Sequence, residues 1–240
     1  MLIRTRAIIL HALKYTESSV IVHTYTEEHG RMAYMVNGAR SKKSVLRSGL
    51  LQPLSIVELE TEFNHKKDIQ RIKESSIGYA FTSIPYDPSK NALSLFIAEL
   101  LYRAFKEPHA DKSVYLFLSQ SICILDIAEN GIGNFHLVFM MQLSRFLGFE
   151  PHAETISEHA YFDLQNGIFT AQQGFSQYLD QSDSRLFAAL IPINYENMGQ
   201  IRFTKEEKAR LLSGLLAYYK LHVSNFTHIK SLDVMSQLFN

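Results

Sequence analysis

At 240 residues, 46% of them hydrophobic, the chain can build one large domain or two small ones, each with its own core. Lys and Arg balance Asp and Glu at 24 each, which argues against a nonspecific polyanion binder, yet residues 1–80 carry 12 Lys and Arg against 8 Asp and Glu, so any nucleic-acid face belongs at the amino end. A single cysteine, Cys123, excludes a disulfide framework or a cysteine zinc site, and with no apolar signal core in Met1–Arg6 and no membrane-length run the chain reads as cytoplasmic, with no membrane partner.

In chain order, residues 3–13 read as a first strand centred on Ala7, Ile8, Ile9 and Leu10, followed by a polar turn from Lys14 to Ser18. Val20 to Tyr25 is β-branched and aromatic and pairs with Arg31 to Val36 across the Glu28-His29-Gly30 turn. Arg31 to Val36 alternates with period two, as a half-buried strand does; Tyr34 on it serves either as core or as a base-stacking platform. A short helix is expected over residues 44–50, stopped by Pro53, then a fourth strand over 54–60, a polar turn from Phe63 to Lys67 and a fifth strand from Ile69 to Ile77. Five short strands with a small helix in about 80 residues fit an OB-type barrel, and an SH3-like barrel gives much the same pattern.

Between the third and fourth strands comes a burst of cations. Arg40, Lys42, Lys43 and Arg47 lie within eight residues, interleaved with Ala39, Ser41 and Ser44. Four such charges are expensive to bury without partners, and cations with short hydroxyl side chains suit phosphates, through counterion release and hydrogen bonds. A solvated loop carries the same composition. The motif order narrows the choice: Thr26-Glu27-Glu28-x-Gly30-Arg31, then Gly38-Ala39-Arg40-Ser41-Lys42-Lys43-Ser44, then Leu51-Gln52-Pro53 resembles the amino-terminal domain of the RecO family, over roughly the first 80 residues.

The resemblance implies a recombination mediator in DNA repair. Such a protein binds single- and double-stranded DNA, anneals complementary strands coated by single-stranded-DNA-binding protein (SSB), and with RecR helps load RecA. On this reading the DNA-binding residues are Arg31, Arg40, Ser41, Lys42, Lys43, Ser44 and Arg47, with Lys66 and Lys67 extending the track. Neither cofactor nor hydrolysis is required. From the residues alone, an RNA-binding module or a protein adaptor remains open.

Ile84-Pro85-Tyr86-Asp87-Pro88 reads as a linker, which divides the chain into a barrel at 1–80 and a mainly helical domain at 81–240. The expected class is therefore α+β in two domains. Asn91 to Lys106 places Leu93, Phe96, Ile97, Leu100, Leu101 and Phe105 on one face, a core-facing stripe. Helices are also expected over Val114 to Asn130, Asn134 to Leu147 and Ser231 to Phe239, and the capping box Thr204-Lys205-Glu206-Glu207 opens another. Tyr161 to Phe169 reads as a small hairpin turning at Gln165-Asn166-Gly167.

In many RecO-like proteins the region matching 149–174 holds four cysteines around zinc. None is present here, so no zinc is carried over, and His152, Glu154, Glu158 and His159 read as surface residues. No phosphate-cradling loop, dinucleotide fingerprint, nucleophile elbow or His-Glu-x-x-His occurs, which points to a binding protein rather than a nuclease or transferase. An acidic, aromatic-ended SSB tail needs an apolar pocket rimmed by cations. Arg202, Lys205, Lys208 and Arg210 beside Leu211, Leu212, Leu215 and Leu216 offer one, unless the leucines are core and the cations merely solubilise the other face.

Overall fold

A computed structural model describes residues 1–37, 48–157 and 160–239. They divide by packing into two units, Met1–Ile127 with Ile229–Leu238, and one built around Ala128–His228. The first holds the barrel: β1 (Leu2–Lys14), β2 (Ser19–Thr26), β3 (Gly30–Asn37), β4 (Ile56–Glu62) and β5 (Ile69–Ile77). They close in the order β1-β2-β3-β5-β4, the five-stranded OB-type arrangement expected from strand count and spacing. Closure depends on a parallel contact between β3 and β5, Ala33 opposite Ile69 and Met35 opposite Arg71, which no local pattern announces.

β1 spans both halves of the barrel. Its amino-terminal part pairs with β4 and its carboxy-terminal part with β2, with a register shift between Ile9 and His11 where the strand turns the corner. Ala7 and Ile9 point inward with Val22, Met32, Tyr34, Val36, Val57 and Leu59. Ile8 and Leu10, of opposite parity, are equally buried because α1 (Pro88–Ala104) packs on β1. A strand covered on both faces reads as a continuous apolar run, which is what Ala7 to Leu10 is. Each large side chain buried this way contributes roughly 1.5–3 kcal/mol.

The expected fourth strand begins two residues late. Leu54 is fully buried at φ 63°, in the left-handed region, and its N–H donates to Ile9 O at 2.8 Å. Extended pairing therefore starts only at Ile56. The short helix expected over 44–50 is a 3₁₀ turn at Ser48–Leu51, its earlier residues lying outside the described ones.

The segment expected to be a linker is instead tied down. Asp126, near the end of α2 (Lys112–Ile127), is buried, and its carboxylate accepts the N–H groups of Thr82, Ser83 and Ile84 at 2.8, 2.9 and 2.9 Å and the Thr82 hydroxyl at 2.8 Å. Burial works against its ionisation, but the bonds from Ile84, Thr82 and Ser83 outweigh it and hold the carboxyl down to about 2. Beneath lies buried Lys90, whose Nζ donates to Ser83 Oγ and to Asp126 O, both at 2.7 Å. Asp87 then caps α1 through Ser89 N and Lys90 N. Farther on, Glu99 of α1 accepts the N–H groups of Lys230 and Ser231 ahead of α6 (Leu232–Phe239).

The second unit contains α3 (Ile132–Phe146), the hairpin β6 (Tyr161–Asp163) and β7 (Ile168–Thr170), α4 (Gln181–Leu190) and α5 (Lys205–His222). The capping box is present, with Thr204 and Glu207 bonding reciprocally. Helix α4 was not expected; its signals, Asp180 capping Asp183 N with Phe187 and Leu190 on one face, are short.

Removing the Asp126 carboxylate takes the acceptor from three N–H groups, of which that of Ile84 is buried, so Asp126→Ala should lower unfolding stability by about 2–4 kcal/mol. Lys90→Met should cost clearly less, since the Asp126 carbonyl keeps its bond from the Ser83 hydroxyl. Urea unfolding of both variants measures the ordering.

Candidate nucleic-acid interface

The cation burst Arg40, Lys42, Lys43 and Arg47, with Ser41 and Ser44, lies outside the described residues. Its entry point is described: Asn37 ends β3 opposite Ser19, at the end of the barrel that carries the β1–β2 turn. Lys66 and Lys67 sit in the β4–β5 turn at the other end, where His29 of the β2–β3 turn stacks on Phe63 with centroids 4.5 Å apart and planes 10° from parallel. The eight residues of β3 separate these ends, on the order of 20 Å at strand rise. The chain thus enters the expected basic track at one end of the barrel, with Lys66 and Lys67 at the other.

Arg31 has a different environment from the other expected contacts. Its guanidinium carbon stands 4.3 Å from the ring centroid of Tyr102 on α1, and Nη1 is buried without a hydrogen-bond partner among the described residues. Burial, partly offset by Tyr102, pushes its pKa down to about 10, so it is charged at neutral pH but half-withdrawn from solvent. His11 and His23 complete the cluster, their rings 4.8 and 5.2 Å from Tyr102. Desolvation, with Arg31 close by, lowers His23 to about 4. Tyr34 is buried in the barrel and offers no face to a base.

The β4–β5 turn is built rather than loose. Buried Gln70 spans it, accepting Asn64 N at 2.8 Å and donating to Asn64 O at 3.0 Å and to Lys67 O, while Asn64 Oδ1 accepts Lys66 N at 2.9 Å. Phe63 is half-buried; His65, Lys66 and Lys67 are exposed, and among the described residues neither lysine is in an ion pair. The facing β2–β3 turn needs Gly30: at φ 63° with His109 O only 2.1 Å from where a Cβ would lie, no other residue fits. A cleft of about 620 Å³ runs between these turns and the segment carrying Lys106.

The opposite sign dominates another groove of about 500 Å³, lined by Glu27, Glu58, Glu60 and Glu74. Its cations are consumed in pairs, Arg4 with Glu60 at 2.8 Å and Arg6 with Glu27 at 2.9 Å. Phosphate is repelled there.

In the second unit, Arg202 and Lys205 are exposed at the start of α5, whereas Lys208 is half-buried close over Gly133. Arg210 is engaged with Asp183 at 2.6 Å and Ser182 at 2.8 Å. Leu211 and Leu215 are core, so they lend no surface to a pocket; Leu212 and Leu216 are half-buried. The hairpin is held without thiolates. Phe162 packs against Phe169, Phe187 and Tyr218, and Asp163 accepts Gln165 N, Asn166 N and the Ser176 hydroxyl. The one cysteine lies in α2, no group of three or more metal-binding side chains occurs among the described residues, and Glu158 and His159 lie outside them. No described helix is long and apolar enough to cross a membrane.

Comparison with known proteins matches these two parts in turn. Residues 1–81 match the family model "Recombination protein O N terminal" and residues 85–233 match "Recombination protein O C terminal". The chain belongs to the RecO family. It is 42% identical to a DNA repair protein RecO of Bacteroides fragilis, 39% to that of Azobacteroides pseudotrichonymphae and 34% to that of Flavobacterium psychrophilum, in each case across 100% of both chains. In this RecO chain the gap between the two family models, residues 82–84, is the segment whose N–H groups Asp126 holds. The barrel's packing unit thus takes in α1 and α2 from the carboxy-terminal match.

The His23 environment yields a pH dependence. Its folded pKa of about 4 lies below the ordinary 6.5, so its contribution is complete above 6.5 and is lost as pH falls from there toward 4. His23→Gln should flatten the fall of melting temperature over that window, measured in thermal scans at several pH values.

Proposed function

We propose that the chain is a DNA-binding recombination mediator in DNA repair. It binds single- and double-stranded DNA, anneals complementary strands, and acts with RecR to help RecA load onto SSB-coated DNA. The observation that carries this reading is the consecutive match of both RecO family models along the chain, over a closed OB-type barrel followed by helices. The concentration of cations in residues 1–80 supports it, since the net charge of the whole chain is zero.

Annealing asks little chemistry of the protein. Two strands repel through their phosphates; the cations Arg40, Lys42, Lys43 and Arg47 neutralise both and release their counterions, after which base pairing supplies the free energy. No bond is made or broken, so no catalytic residue is assigned. For the SSB tail, the exposed cations Arg202 and Lys205, with Lys208 and half-buried Leu212, are the receiving site we favour. Arg210, engaged with Asp183, is left out of the site we favour.

Replacing Arg40, Lys42 and Lys43 together by Ala should weaken duplex binding and flatten its salt dependence, by roughly 0.9 in log–log slope for each phosphate no longer neutralised. Anisotropy titrations at two salt concentrations read this, and an unchanged slope removes the loop from the DNA site. A peptide with an acidic, aromatic-ended tail should bind the full chain, and Lys205→Glu with Lys208→Glu should abolish that binding. Survival of binding places the tail elsewhere.

A further inference from the structure

The β4–β5 end of the barrel combines features that the phosphate track alone does not need. His29 and Phe63 form a parallel stack, and exposed His65 stands edge-on to Phe63 at 4.5 Å and 83°. Lys66 and Lys67 follow directly, and Lys106 is exposed across the cleft. A second hollow beside the first, reaching Arg71 and Lys73, shares Phe63, His65 and Lys67 with it. Gln70 locks the backbone that carries Phe63 and His65.

We propose that His29, Phe63 and His65, with Lys66, Lys67 and Lys106, form a subsite that stacks an unpaired base and holds its neighbouring phosphates. The occupant is single-stranded DNA. Duplex bases present no free face, whereas an unpaired base can lie against an aromatic ring while the adjacent backbone meets lysines, the arrangement general to single-strand binding surfaces. The locked turn means little ordering is left to do on binding. His65 is the ring a base reaches first, with the His29–Phe63 stack behind it. For an annealing protein the consequence is selectivity: a strand is gripped here while unpaired and released when its bases turn inward to pair.

The inference rests on the DNA-binding reading above, and the test separates the two. The full chain is titrated with a labelled thymidine oligomer, with an abasic oligomer of the same length, and with a duplex. Wild type should bind the thymidine oligomer at least about fivefold tighter than the abasic one, in line with the stacking contribution of a base. His65→Ala, an exposed change, should remove most of that difference and leave duplex affinity unaltered. Lys66→Ala with Lys67→Ala should instead lower the salt slope on single strands, by roughly 0.7 for each phosphate no longer neutralised, and keep the preference for bases over abasic sites. Equal binding of the two oligomers by wild type, or a His65→Ala variant that keeps the full preference, overturns the subsite and leaves DNA binding standing. Failure of wild type to bind any of the three DNAs overturns the DNA-binding reading and the subsite with it.

Discussion

A carboxylate that is buried must be given hydrogen bonds, and Asp126 is given them by the backbone that leaves the barrel. That constraint shapes the first unit. It fixes residues 82–84 against α2, sets the start of α1 through Lys90 and the Asp87 cap, and so places α1 along β1. Tyr102 of that helix then comes to lie over His11, His23 and Arg31. The helix that follows this anchored segment thus carries the ring against which a cation on β3 is half-withdrawn from solvent.

Charge in this protein is informative by place rather than by sum. The barrel carries an acidic groove whose arginines are spent on glutamates, and a separate end where Lys66 and Lys67 stand beside aromatic rings without ion pairs among the described residues. Ion pairs exposed to water contribute little stability, but they do decide which cations remain available to a polyanion. Arg4, Arg6 and Arg210 are engaged in this way; Lys66 and Lys67 are not.

The hairpin at 161–170 is held without thiolates, the one cysteine lying in α2. Apolar contact does most of the work, through the rings gathered on Phe162, and Asp163 closes the turn by accepting backbone N–H groups. Tyr218 and Tyr219 of α5 donate to Phe149 O and Met140 O at 2.6 and 2.7 Å, satisfying the polar ends of buried rings. Gly167, at φ 68°, leaves room for the Tyr218 hydroxyl.

The sequence by itself determined the elements whose signals are local. Strand alternation from Arg31 to Val36, the capping box at Thr204 and the Asn166-Gly167 turn each depend on residues a few positions apart, and each is found where its pattern puts it. The three ordered motifs over Thr26 to Pro53 led to the family in the same way, since order along the chain is a property of sequence. Tertiary structure alone decided the rest. The β3–β5 contact joins strands more than thirty residues apart, and the Asp126 clamp spans more than forty, so no window of sequence contains either. Whether a cation faces solvent, as Lys67 does, or an aromatic ring, as Arg31 does, depends on what packs against its strand from elsewhere in the chain. Likewise, the meeting of His29 with Phe63 follows from barrel closure, because two turns become neighbours only when the strands between them pair.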